Sequence, residues 1–159
     1  MTEIENQIWI NEKIETVFNI TNDISNWKNL FSEYEESEVL EKNGPRIKFR
    51  LKTKPDVNGL SYSWISERVI NKRKFVCISK RKNPLYPFKY MLINWIYKQL
   101  NGGTLMIWKQ KFSVDQKCPI NEEEFRENLN KGTIVQMQLI KDKIEKNYGR
   151  KDKYEVNKK

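Results

Sequence analysis

Residues 64–70 read WISERVI. In a strand every second side chain points to the same face. Trp64, Ser66 and Arg68 then share one face, placing an indole, a hydroxyl and a guanidinium in a row. Ile65, Glu67 and Val69 share the other. Periodicity alone does not choose the inner face, because the two β-branched residues suit a core as well as the indole does. If the Arg68 face is inside, a guanidinium points into an apolar interior. There it can hold an anionic or carbonyl oxygen, since donors in a water-poor site act more strongly than in water. Its very high intrinsic pKa makes it a poor acid or base. Electrostatic stabilisation is therefore favoured, with proton transfer through a bound water or Tyr34 as the alternative. A salt bridge at a sheet edge is the competing role for Arg68.

The chain has no histidine, which excludes Ser-His-Asp and Cys-His mechanisms and any His-ligated metal. Proton handling falls to Arg, Tyr, Lys, Asp or Glu. Tyr34 is the candidate to protonate or hydrogen-bond a carbonyl. Ser66 can hold Arg68 or a substrate oxygen, and equally can be a neutral strand serine. Trp27, Trp64, Trp95 and Trp108 are flat, rigid walls suited to a planar ligand, and equally suited to ordinary packing. Gln110, on the Trp108 face, is an amide that needs partners if buried. Asp56 in KPDVNG shapes its turn.

The elements that must position these groups follow from pattern. QIWI (7–10) reads as a strand, and residues 14–24 and 24–31 as two short amphipathic helices. Residues 33–41 form a charged edge strand. Residues 46–53 alternate strictly, with Ile47, Phe49 and Leu51 inward. KPDVNGL (54–60) is a hairpin turn signalled by Asn58-Gly59. Strands follow at about 60–70, 74–82, 90–99 and 104–114. Asn121, three residues before Glu124, has the capping-box spacing that starts a long helix to about Tyr148. Phe125, Leu129, Met137, Ile140 and Ile144 are its apolar side, and Gly149 ends it. The layout is α+β: a curved antiparallel sheet of about seven strands, with two short helices and a long C-terminal helix enclosing a cavity. Residues 1–149 are expected to form a single domain, followed by a polar tail (150–159) that frays.

Composition bounds the rest. The 159 residues suffice for one sizeable core, and 12% aromatic residues argue against disorder. No window approaches the roughly 18 apolar residues of a membrane span. The N-terminus lacks a basic signal region, so a cytoplasmic protein is expected. Cys77 and Cys118 suit unpaired thiols better than a disulfide. The net charge is +9, but the basic residues are scattered and show no nucleic-acid-binding pattern, so no nucleic acid is expected as a partner.

The blocks NDISNWKNLFSEY, TKPDVNG and WISER, with PFKYM, GGT, MIWKQKFSVD and VQMQLIKDKIE, resemble the aromatase/cyclase branch of the START-like (Bet v 1-like) polyketide cyclase superfamily. The resemblance runs from about residue 6 to 146. It implies a helix-grip fold and an enzyme of type II polyketide synthesis. Such an enzyme takes a poly-β-ketone tethered to an acyl carrier protein, promotes a regiospecific aldol closure, and dehydrates the ring to an aromatic one. It implies no cofactor, no metal and a monomer. It selects Trp64, Ser66 and Arg68 as the cavity face and makes Arg68 the essential residue, with Tyr34 beside it. Trp27, Phe31, Arg81, Met91, Trp95, Trp108, Gln110, Asn128 and Gln136 complete the implied substrate-contacting set. Arg81 would sit at the mouth, near a phosphopantetheine arm. The sequence departs from the family pattern at Glu12-Lys13, in the longer loop RKNPLYPFKYM, and at Asn128, where relatives can hold histidine. The competing function is a non-catalytic carrier of a lipid- or quinone-like ligand on the same fold.

Overall fold

A computed structural model describes residues 1–149; the expected fraying of 150–159 lies outside the described residues. The element order is β1 (Thr2–Ile10), α1 (Ile14–Thr21), α2 (Trp27–Leu30), β2 (Tyr34–Asn43), β3 (Arg46–Thr53), β4 (Ser63–Asn71), β5 (Val76–Asn83), β6 (Phe88–Leu100), β7 (Gly103–Val114) and α3 (Glu122–Ile144). All seven strands form one antiparallel sheet in the order β1-β7-β6-β5-β4-β3-β2. The charged strand β2 is an edge, as its composition predicts, and β1 is the other.

Alternation along the strands builds the concave face. Ile47, Phe49 and Leu51 of β3 are buried, as are Ser66 and Arg68 of β4, Cys77 and Ser79 of β5, and Trp95 and Tyr97 of β6. On the convex face Glu67 is exposed, and Val69 and Ile78 keep 40% and 46% of their surface. The inner face of WISERVI is therefore Ser66 and Arg68, with Trp64 half-buried at the end of the row. β4 is internal to the sheet and Arg68 is 1% exposed, so the edge salt bridge does not exist.

Several boundaries differ from the pattern reading, for local reasons. The first helix ends at Thr21 with Asn22 as its C-cap: the Asn22 backbone N–H makes the last ladder bond to the Phe18 carbonyl at 3.1 Å, and its side-chain Nδ2 donates to the same carbonyl at 2.9 Å. A 3₁₀ turn, Ile24–Asn26, then leads into α2. The segment before β4 is a longer loop than a two-residue hairpin. Asp56 Oδ1 accepts from the Asn58 and Leu60 amides at 2.9 and 3.0 Å, so the turn closes on itself before the strands pair. At α3 the cap is the expected one, with Asn121 Oδ1 accepting from the Glu124 amide at 2.8 Å. The helix does not run unchanged to Gly149. Residues Glu145–Gly149 widen into a π turn, where Glu145 accepts from the Asn11 amide at the end of β1.

α3 lies along the concave face. Met137, Ile140 and Ile144 are buried at its C-terminal half, and Phe125 and Leu129 pack beside Phe88, Met91 and Phe112. Between these two apolar contacts, polar bridges tie the helix to β7 and to the α2–β2 connection. Thr133 Oγ1 donates to Gln110 Oε1 at 3.1 Å, and Gln136 exchanges two hydrogen bonds with Ser32. The helix is thus pinned at its ends and tied in its middle, and the space beneath it stays open.

Candidate functional site

That space is a cavity of about 330 Å³. Its walls are aromatic. Trp95 and Trp108, paired across β6 and β7, stack at 4.2 Å with rings 5° from parallel. Trp27 packs against Trp95, Phe31 and Phe49, and Tyr34 lies between Trp27 and Trp64. Met91 closes the wall on β6, and Asn128 and Gln136 face in from α3. Ser66, Arg68, Arg81 and Gln110 also line it. Every position expected at the site is brought to this one cavity.

Arg68 is the most deeply buried of the charged groups. It stands opposite Ile47 on β3 and Ser79 on β5. Its Nη1 donates to Ser79 Oγ at 2.6 Å, and its Nε and Nη2 both donate to Asn22 Oδ1 at 3.0 and 2.9 Å. The guanidinium carbon lies 4.3 Å from the centre of the Trp95 ring. Burial lowers its pKa from the ordinary value. Arginine nevertheless stays charged in proteins. No carboxylate lies within ion-pair distance of Arg68 among the described residues. The serine that holds it is Ser79, not Ser66: Ser66 faces Arg81 across the ladder and makes no hydrogen bond to Arg68.

Tyr34 is held protonated. Burial raises its pKa well above 10, and the neighbouring Glu33 carboxylate adds to the rise. It can therefore donate to an oxygen, but it does not become a phenolate at neutral pH. Arg81 stacks on Trp64 at 4.4 Å and on Phe88 at 5.3 Å, and burial lowers its pKa to about 10. Its Nε and Nη2 donate to the carbonyls of Pro84 and Tyr86 at 2.8 and 2.9 Å. It therefore braces the long β5–β6 loop at the rim as well as facing the cavity.

Pattern reading missed Glu33, Ser79 and Thr133, all of which line the cavity. Glu33 is the one carboxylate among the described lining residues. Burial of its carboxyl raises its pKa, and interaction with the Tyr34 hydroxyl opposes that rise, although the residue as a whole keeps an exposed surface. It precedes β2 by one residue, outside any alternation. Ser79 carried the alternation signal, two residues beyond the buried Cys77. Cys77 is fully buried, with Sγ 3.2 Å from Asn22 Oδ1, so this thiol belongs to the network around Arg68.

A seven-stranded antiparallel sheet gripping one long helix over a cavity is the helix-grip architecture of START-like proteins. Residues 10–133 match the family described as polyketide cyclase / dehydrase and lipid transport, and the chain belongs to that family. A candidate polyketide cyclase of Streptomyces cyaneus is 38% identical over 141 residues, which are 89% of this chain and 92% of that protein. Another from Streptomyces halstedii is 42% identical over 104 residues, covering 65% and 94%. Among solved structures, the Zhui aromatase/cyclase from a Streptomyces species aligns with a TM-score of 0.79 at 17% identity, over 91% of this chain and 93% of that one. A START superfamily protein from Mycobacterium smegmatis aligns at 0.74 and 14% identity, over 91% and 97%. At such identities the structural likeness speaks for the fold. No helix among the described residues is long and apolar enough to cross a membrane.

Proposed function

We propose that this chain is a polyketide aromatase/cyclase acting on a poly-β-ketone tethered to an acyl carrier protein. The observation that carries this reading is a buried guanidinium, with no carboxylate partner among the described residues, in the wall of a flat aromatic cavity that also presents a protonated tyrosine.

Aldol closure needs a proton removed from a methylene between two carbonyls, an oxyanion stabilised, and a chain bent so that the right carbons meet. The stacked Trp95–Trp108 wall and Trp27 restrict the polyketone to planar conformers, and holding the reactive conformer supplies a large part of the effect. The methylene is already acidic, so a weak base suffices. Glu33 is placed to accept its proton, directly or through water, and its raised pKa brings the base closer to the acidity of the methylene. The enolate carbon then attacks the second carbonyl, whose oxygen takes the electron pair. Arg68 holds that oxygen, and Tyr34 donates a hydrogen bond to it. Return of the proton gives a β-hydroxy ketone. Loss of water and enolisation give the aromatic ring, with no oxidant consumed. The residues doing this are cofactor-independent, and the net charge of +9 suits an acidic carrier protein.

The test is reconstitution. A minimal synthase and carrier protein are run with and without the purified chain, and products are resolved by liquid chromatography and mass spectrometry. A shift from mixed spontaneous products to one aromatic isomer is the expected result. Unchanged products, with tight binding of the polyketone, would leave a ligand carrier instead. Turnover should fall as salt screens the carrier complex; salt-independent turnover would argue against charge-guided docking.

A further inference from the structure

We propose that Asn22 is a positioning residue that holds Arg68 while leaving its charge uncompensated, so that the cavity selects anionic, planar, oxygen-bearing ligands. This rests on the cyclase reading for its chemistry, though not for its test.

A buried arginine is ordinarily fixed by a carboxylate, often through two parallel hydrogen bonds from one edge of the guanidinium. In this protein that edge is occupied by a neutral amide. Nε and Nη2 both point at Asn22 Oδ1, at 3.0 and 2.9 Å. The amide cannot turn round. Its Nδ2 donates to the Phe18 carbonyl at 2.9 Å and approaches the Tyr97 hydroxyl at 3.4 Å, while the Cys77 thiol donates to Oδ1 from a third side at 3.2 Å. The Tyr97 hydroxyl is itself paired with Thr21 Oγ1 at 2.6 Å. The acceptor is therefore held by the end of α1 and by β6, independently of any ligand.

The other contacts of the guanidinium among the described residues are equally uncharged: Ser79 Oγ on Nη1, the neighbouring Cys77 thiol, and the Trp95 and Trp27 rings. The groups titrating nearest to it are Cys77 and Tyr97, and burial raises both above their ordinary pKa values, so both stay neutral. Among the described residues three of its five N–H donors are taken by Asn22 and Ser79, all of them by neutral groups, and the guanidinium itself lines the cavity. A carboxylate in the Asn22 position would give the same geometry and cancel the charge. An amide gives the geometry and keeps the charge. The enolate of a β-diketone is the ligand class that profits, because loss of its methylene proton to a base puts a negative charge on its oxygens that the neutral ketone and enol lack.

The experiment compares the full chain with Asn22→Asp, Asn22→Ser and Ser79→Asp. Each is titrated at pH 7.5 with 2-naphthoate and with the isosteric neutral 2-naphthamide, following quenching of the cavity tryptophans. The wild type should bind the anion at least about tenfold more tightly, a difference of about 1.4 kcal/mol. Asn22→Asp should lose that preference and, in the cyclisation assay, lose kcat by about tenfold or more with KM changed less than about threefold. Its second oxygen would face the Phe18 carbonyl, so folding is checked by Tm, and Ser79→Asp brings a carboxylate to Arg68 from the opposite strand with the same expected loss. Asn22→Ser, neutral and shorter, should lower Tm but keep the anion preference. A wild type that binds both probes equally overturns the proposal. So does a folded Asp variant that keeps the preference, or a serine variant that loses it as fully as the Asp variants. If the wild type shows the Asn22-dependent preference but cyclises nothing, the cyclase reading fails and this inference stands.

Discussion

Replacing Arg68 with Met separates catalysis from stability, because the structure predicts opposite demands on the two. The side chain makes three hydrogen bonds and lies over Trp95. Hydrogen bonds to a charged group contribute roughly 1.5–3 kcal/mol each, and a desolvated cation–π contact about 2. Against this stands the cost of taking a guanidinium out of water, several kcal/mol even after relaxation, with no carboxylate among the described residues to offset it. Methionine fills much of the volume without that cost. Asn22 Oδ1 keeps the Cys77 thiol as a donor, and the Ser79 hydroxyl can rotate. The two sides are of the same order and oppose each other, and exchanging a buried charged side chain for a well-packed apolar one is often near neutral, so stability should change by no more than about 3 kcal/mol in either direction. Catalysis has no such compensation. Removing one donor from a pre-formed oxyanion site lowers kcat by about 10²–10³, and Arg68→Met removes the whole guanidinium. Single-turnover cyclisation of carrier-tethered poly-β-ketone, read as the fraction of the single aromatic isomer, measures the first effect; urea unfolding measures the second. A folded Arg68→Met variant with kcat within about threefold of wild type would refute the role given to Arg68. A loss of stability well beyond 4 kcal/mol would make it a structural pin instead.

Three further outcomes test the frame around the site. Glu122 accepts from Thr2 Oγ1 and the Val114 amide, and those bonds, the first above all, hold its pKa below the ordinary value. A depressed folded-state pKa stabilises above the unfolded value, near 4.5, and is lost as pH falls through the folded one. Glu122→Gln should therefore lower Tm at pH 7 and approach the wild type in acid; a pH-independent difference would contradict the assignment. A Cβ on Gly103 would lie 2.5 Å from the Ile10 carbonyl oxygen and 2.6 Å from the Trp9 ring, so Gly103→Ala should cost about 1–3 kcal/mol in urea unfolding, with naphthoate binding unchanged. Val69, on the convex face, should accept threonine with a change under about 0.5 kcal/mol, and a larger loss would mean that this face is covered in solution.

Much of this protein could be read from its residues in order. Strand alternation reports which side chains share a face, and β3 obeys it at Ile47, Phe49 and Leu51. The cap at Asn121 and the Asp56 turn are contacts between residues two to four apart, so the chain's own spacing specifies them. The inner face of WISERVI was not decidable by periodicity. Only the resemblance to polyketide cyclases chose it, and the sheet then set Arg68 inward. Alternation says nothing of what stands across the ladder. That Ser79 and not Ser66 meets Arg68 follows from the β4–β5 register, a property of two strands and not of either one. The same limit hid Asn22. It lies 46 residues from Arg68 in sequence, and at the end of a short helix it reads as a boundary residue. Tertiary packing alone brings its amide under the guanidinium. Composition and spacing decided that this chain would carry an arginine on a strand among aromatic residues; the closed fold decided that the arginine would be dry, firmly held and left with its charge.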